Sequence, residues 1–77
     1  MVDWLDKAYE KMDRRRRTLE AKGYAKGAAD GAVEWAFGYA RHRVPPESNP
    51  SGFLAELDRR LARCEKWARG EVDWVSD

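Results

Sequence analysis

The sequence predicts an all-α fold, a small three-helix bundle or a helical hairpin with a third helix packed on it. Apolar residues recur at spacings of three and four over long stretches, which is typical of amphipathic helices. All three prolines fall in one segment, 44–52, which is the strongest loop signal in the chain. The length of 77 residues leaves room for a single domain, 1–77, with a thin core.

The first helix is predicted over 3–22, where helix-forming residues follow one another without a breaker. Asp3 can cap its N-terminus. Apolar residues form a stripe along one face of it: Leu5, Ala8 or Tyr9, Met12 and Leu19. Arg15 and Arg16 stand where this stripe requires an apolar residue, so we expect the C-terminal half of the helix to be poorly buried.

The second helix is predicted over 24–43 and is rich in Ala and Gly. Polar residues before and within it step by four and share one narrow strip: Lys22, Lys26, Asp30 and Glu34. Because most of the remaining circumference is apolar or small, we expect this helix to be the central one, or the surface of a dimer. Gly23 is predicted to end the first helix. The alternative is one helix over 3–43, which would need oligomerisation to bury its face.

The third helix is predicted over 50–69, after a loop at 44–49. Proline disfavours helix in the residue before it, so the second helix must stop near Arg43. Asn49 is a suitable N-cap with Pro50 in the first helical position, and Ser51 is the alternative cap. Gly70 is a plausible C-cap, and an acidic tail follows over 70–77.

The third helix has the most regular apolar stripe of the chain. Its members follow spacings of three and four, with Phe53 and Trp67 on the flanks: Leu54, Leu57, Leu61, Cys64 and Ala68. Cys64 is therefore expected to be a small core residue. Glu56 can pair with Arg60, four residues further along the helix.

Glycines recur every four residues at Gly23, Gly27 and Gly31. A glycine inside a helix costs about 1 kcal/mol relative to alanine, so this spacing requires a compensating contact. We interpret the three glycines, with Trp35, as a helix-packing or dimer surface, approached by another helix of the chain or by a second copy. A frayed stretch or a hinge is the alternative.

Arginines form two clusters, which we interpret as candidate partner-binding residues: Arg14, Arg15, Arg16 and Arg17, and then Arg41 and Arg43. Four consecutive residues spread around the whole helix, so the first cluster cannot form one flat patch. Three interpretations remain open for it. The arginines pair with nearby carboxylates such as Glu10, Asp13 and Glu20, or they bind an acidic protein surface, or they bind nucleic acid.

Two of the four tryptophans lie near the termini, in the repeated phrases Val2-Asp3-Trp4-Leu5 and Val72-Asp73-Trp74-Val75. We predict that Trp4 and Trp74 are partner-binding anchors, because little core remains there to bury them and Trp is enriched at interaction hot spots. The alternative is that a phrase of four residues recurs by coincidence.

Several classes of function are disfavoured by composition. The formal net charge is +1 and the pI is about 7.9, which argues against a strong nucleic-acid binder. One cysteine cannot form an intramolecular disulfide or a cysteine-based zinc cluster, and His42 has no second ligand, so we expect no metal and no cofactor. No membrane span or signal peptide is predicted, so a cytoplasmic location is expected.

The function expected from the sequence is that of a non-enzymatic protein-binding module. It would be an adaptor or inhibitor, of the viral or mobile-element type, that acts on a larger protein complex through exposed Trp and Arg. Two alternatives remain: nucleic-acid binding through Arg14–Arg17, and a structural homodimer or larger homo-oligomer. Catalysis is not expected, because no fingerprint of a catalytic or nucleotide site is present and the core is too thin to enclose a substrate.

Overall fold

Three helices form the described part of the chain, residues 3–71 of a computed structural model. They are α1 (Asp3–Ala21), α2 (Lys26–Arg43) and α3 (Pro50–Ala68). Each helix packs on the other two, with no strand in this range, so the predicted all-α three-helix fold is confirmed. The molecule measures 35 × 25 × 15 Å. None of its described helices is long and apolar enough to cross a membrane.

The chain breaks between α1 and α2 at Gly23, so the alternative of one long helix is wrong. The N–H of Tyr24 donates to the carbonyl of Leu19 at 3.2 Å, and that of Gly23 donates to Glu20 at 2.9 Å. This pair of bonds is a Schellman motif, which requires the positive φ of 105° that Gly23 adopts. The second helix begins at Lys26 rather than at residue 24. Its N-cap, Ala25, provides no side-chain hydrogen bond.

The ends of α3 follow the predicted caps. The side chain of Asn49 accepts a hydrogen bond from the N–H of Gly52 at 3.0 Å, and Pro50 occupies the first turn. At the other end Gly70 adopts a φ of 78°, and the N–H of Glu71 donates to Lys66 at 2.8 Å. The sequence thus encodes a local start signal and a local stop signal for this helix.

The core lies between α2 and α3, with α1 as a thinner cover. Its buried apolar members come from all three helices: Ala8, Leu19, Ala29, Ala32, Val33, Trp35, Ala36, Ala40, Phe53, Leu57, Leu61 and Cys64. Ala8 completes the inner stripe of α1, since Tyr9 is 56% exposed. Phe53, which flanks the α3 stripe, is also fully buried. As expected, α2 is the central helix.

A buried ion pair lies within this core. The carboxylate of Glu56 accepts a hydrogen bond from Arg60 at 2.6 Å, and the two residues are 5% and 2% exposed. The guanidinium of Arg60 also lies 4.1 Å from the centre of the Tyr39 ring on α2. The predicted pairing is confirmed, but the pair is part of the α2–α3 interface and not of the outer surface.

Candidate functional site

The arginine run of α1 divides into an outward pair and an inward pair. The side chains of Arg14 and Arg17 are 74% and 75% exposed, whereas those of Arg15 and Arg16 are each 25% exposed. Four consecutive helical residues point in four directions, so this division follows from helix geometry. The inward pair connects α1 to the other helices, and the outward pair faces solvent.

Arg16 ties the middle of α1 to α2. Its guanidinium donates to Asp13 and, at 2.7 Å, to Glu20 on the same helix, and it lies 3.7 Å from a carboxylate oxygen of Asp30 on α2. The hydrogen bond from Arg16 lowers the pKa of Asp13 below its ordinary value. This arginine is therefore largely satisfied by the chain itself.

Arg15 belongs to a second group, the Glu65 cluster, which comprises Arg15, Lys22, Tyr24, Glu65 and Arg69. The Glu65 carboxylate accepts hydrogen bonds from Lys22 at 2.8 Å and from the Tyr24 hydroxyl at 3.0 Å. The guanidiniums of Arg15 and Arg69 lie 3.7 and 3.6 Å from it. Hydrogen bonds from Lys22 and then Tyr24 lower the pKa of Glu65. The cluster fastens the end of α3 to α1 and to the turn after it.

Cys64, next to this cluster, is fully buried, as expected for a core residue. Burial raises the pKa of its thiol, an effect that a hydrogen bond with Arg15 partly offsets. A buried thiol with a raised pKa is a poor nucleophile. Cys64 is thus a packing residue of α3.

An open depression, the α1/α3 groove, runs beside the arginine run. Its volume is about 280 Å³, and three cationic side chains, one carboxylate and two apolar residues contribute to its lining: Lys11, Arg14, Arg15, Thr18, Asp58, Leu61 and Ala62. Lys11 reaches across it to Asp58 at 3.0 Å. The lining of the groove therefore combines apolar side chains with more cations than carboxylates.

The outward arginines stand beside carboxylates of their own helix. Arg14 lies 3.6 Å from Glu10, and Arg17 lies 3.0 Å from Asp13. Both are exposed pairs of the kind that contributes little to stability and that exchanges readily with water or with another charged group. The outer face of α1 is therefore mixed in charge, with exposed arginine side chains.

The second basic cluster, at the end of α2, stands apart from the groove. Arg41 and Arg43 are exposed, and Arg41 pairs with Glu47 of the following loop at 3.3 Å. Neither residue lines the α1/α3 groove. The groove thus includes residues of the first predicted cluster and none of the second.

Trp4 does not have the exposed position that we expected of an anchor. It is partly buried, and its ring packs edge-on against Phe53 with the ring centres 5.4 Å apart. Phe53 is fully buried beside the α3 stripe, and it provides the core contact that Trp4 was expected to lack. Trp74 lies outside the described residues.

The three glycines have three different environments. A Cβ on Gly31 would lie 2.6 Å from the Trp67 ring, so helix α3 does approach α2 there. Gly23 and Gly27 have no atom within 4 Å of such a Cβ, and Gly23 lies in the turn. Another helix of the chain thus approaches Gly31, and none of the described residues does so at the other two, while the interpretation as a dimer surface stays a prediction. Trp35 is buried in the core, and its indole N–H has no acceptor among the described residues.

The described residues contain no group of three or more His, Cys, Asp or Glu side chains that could hold a metal ion. No protein-family model, no curated protein and no solved structure matches this chain.

Proposed function

We propose that the chain is a non-enzymatic binding module, an adaptor or inhibitor, that holds an acidic segment of a larger protein in the α1/α3 groove. The observation that carries this proposal is the composition of the groove. Three cations, Lys11, Arg14 and Arg15, line it together with one carboxylate, Asp58, and the apolar residues Leu61 and Ala62. A carboxylate-bearing segment with one apolar side chain complements both properties of this lining, its excess of cations and its apolar side chains.

Arg14 is the residue expected to contribute most to recognition. Its side chain is exposed, and within residues 3–71 the one ion pair it forms is with Glu10, at 3.6 Å. A carboxylate of the partner can replace Glu10 and form the bidentate pair that arginine favours. The 15 Å dimension of the molecule favours surface recognition over enclosure of a substrate.

Nucleic acid is the weaker candidate for the same surface. Glu10 and Asp13 stand beside the two outward arginines. A phosphate backbone would bring its own negative charges close to these carboxylates, whereas a protein segment can avoid them by the spacing of its side chains. The mixed charge of the face thus favours a protein partner.

The proposal is tested by titrating the protein with a short peptide rich in Glu that contains one Leu, and with a single-stranded RNA of equal charge. We expect backbone NMR shifts confined to the groove with the peptide. Arg14→Ala should weaken binding by roughly ten- to hundredfold, the effect of losing one charge-assisted hydrogen bond. Arg43→Ala, which removes the same charge elsewhere, is the matched control.

Two results would overturn the proposal. Equal losses in both variants would show that only net charge matters. Tighter binding of the RNA, with an affinity that falls steeply as salt is added, would instead identify a nucleic-acid binder.

A further inference from the structure

A second depression, the Trp67 pocket, lies between α2 and α3. It is lined by Gly31, Glu34, Trp35 and Trp67 and has a volume of about 370 Å³. This size is within the range of pockets that hold a small ligand or one side chain of a partner. No residue of the α1/α3 groove lines it, so it is a separate feature of the surface.

Gly31 leaves space for the Trp67 ring, which forms one side of this pocket. A Cβ at this position would lie 2.6 Å from two ring carbons of Trp67, a separation that Cβ atoms do not tolerate. Because the glycine has no side chain, the far edge of the indole rests directly on α2. Trp67 is nevertheless only partly buried, so part of its ring faces the pocket opening.

Glu34 provides the charge of the pocket. Its side chain is exposed, and within residues 3–71 no cation pairs with it. Asp30, one turn earlier on α2, is by contrast engaged by Lys26 at 3.0 Å and by Arg16 at 3.7 Å. The Glu34 carboxylate therefore lies in the same pocket as the Trp67 ring, and no cation of the described residues neutralises it.

We propose that the Trp67 pocket binds the alkylammonium group of a lysine side chain, methylated or not, on a partner protein. Indole faces attract cations through their quadrupole, and the Glu34 carboxylate attracts them by its charge. The methylene stem of a lysine can lie along the Trp67 ring while its ammonium group reaches Glu34. The pocket and the α1/α3 groove are independent sites. The pocket binds a cation, whereas the groove binds a segment that carries carboxylates.

The first test uses the simplest probe, tetramethylammonium chloride, followed through the indole N–H signals in a proton–nitrogen NMR spectrum. We expect the Trp67 signal, which is identified by its loss in Trp67→Phe, to move in a saturable way. Sodium chloride at equal ionic strength and the neutral analogue tert-butanol are the controls. A shift that does not saturate, or that either control reproduces, would overturn the proposal.

The second test compares two charge-removing variants. Glu34→Gln should weaken tetramethylammonium binding by about threefold, since an exposed ionic contact contributes modestly. Glu47→Gln, which removes an exposed carboxylate that pairs with Arg41, should leave binding unchanged. Equal weakening in both variants would indicate a general charge effect and would contradict the assigned site.

A third test concerns the source of the cation. A peptide with one trimethyllysine should move the Trp67 signal at lower concentration than tetramethylammonium does, and a matched peptide with norleucine in that place should not. If dilution of the protein alone moves the same signal, the occupant is a second copy of this chain and the partner-lysine proposal is wrong. Arg14→Ala should have no effect on any of these titrations.

Discussion

At the scale of single residues, Gly31 and Gly27 show how position gives one residue type two roles. The two glycines lie on the same helix, four residues apart. Gly31 permits a contact with the Trp67 ring, and Gly27 faces open space. Spacing alone therefore cannot distinguish a glycine that packs against another helix from one that faces open space. The distinction depends on where the neighbouring helix crosses.

A pair of alanine substitutions measures this difference. Both replace glycine in a helix and gain similar helix propensity, up to about 1 kcal/mol. Gly31→Ala should be less stable than Gly27→Ala by about 1 kcal/mol or more, because the new methyl group must displace the Trp67 ring from α2. Urea unfolding gives the difference, and Trp fluorescence should report a more exposed indole in Gly31→Ala alone. Equal stability of the two variants would contradict the contact.

The carboxylate of Glu65 leads to a prediction about pH. Its pKa is lowered in the folded protein from an ordinary value of 4.5 by hydrogen bonds from Lys22 and Tyr24. A lowered folded-state pKa means that the stabilisation is fully present above pH 4.5 and is lost as the pH falls through the folded-state pKa.

Urea unfolding midpoints measured from neutral pH down to strongly acidic pH test this prediction. The midpoint of the wild type should fall over the acidic range, and the fall should be smaller in Glu65→Gln. Glu34→Gln is the control, since Glu34 forms no ion pair among the described residues. A pH profile that Glu65→Gln leaves unchanged would show that the Glu65 cluster does not contribute.

At the scale of elements, the buried pair Glu56–Arg60 distinguishes the inner face of α3 from an ordinary apolar stripe. Both members are almost completely buried, and Arg60 stacks on Tyr39 of α2. A buried pair of this kind adds little net stability relative to apolar residues of the same size. Loss of one member is costly, because it leaves a charge without its partner in a dry environment.

Single and double substitutions separate these two effects. Glu56→Leu should destabilise the fold by about 3 kcal/mol, since it removes a buried carboxylate that accepts a hydrogen bond from Arg60. The double variant Glu56→Leu with Arg60→Met should regain most of that loss. Thermal and urea unfolding of the single and double variants provide the comparison. If the double variant is no more stable than Glu56→Leu, the two side chains stabilise the fold by more than the cancellation of their charges.

The helix ends and apolar stripes were predictable from the sequence because their signals are local. The Asn49 cap, the stop at Gly23 and the α3 stripe each depend on a few neighbouring residues. The α2 start was predicted too early because Ala25 carries no cap to mark it. The burial of Phe53 could not be predicted, because the residue lies beside the periodic stripe and is covered by Trp4, 49 positions away in the chain.

At the scale of the whole molecule, the candidate sites depend on contacts between helices that the sequence does not encode locally. The Glu65 cluster brings together residues more than 40 positions apart, and the groove and the pocket each combine two helices. Sequence reasoning identified the arginine run but not the groove beside it. It also missed Glu34 and Trp67 as a pair, since their proximity depends on the crossing at Gly31.

Helix α1 carries the arginine run but contributes only Ala8 and Leu19 to the buried residues of the described chain. The rest of α1 is joined to the other helices by partly buried side chains such as Trp4 and Met12 and by ion pairs such as Lys11–Asp58. Its backbone amides should therefore take up deuterium sooner than those of α2 and α3, through openings in which α1 detaches and the other two helices stay paired. An acidic peptide that occupies the groove should slow this uptake in α1 alone. Uniform exchange across the three helices would show that the bundle opens only as one unit.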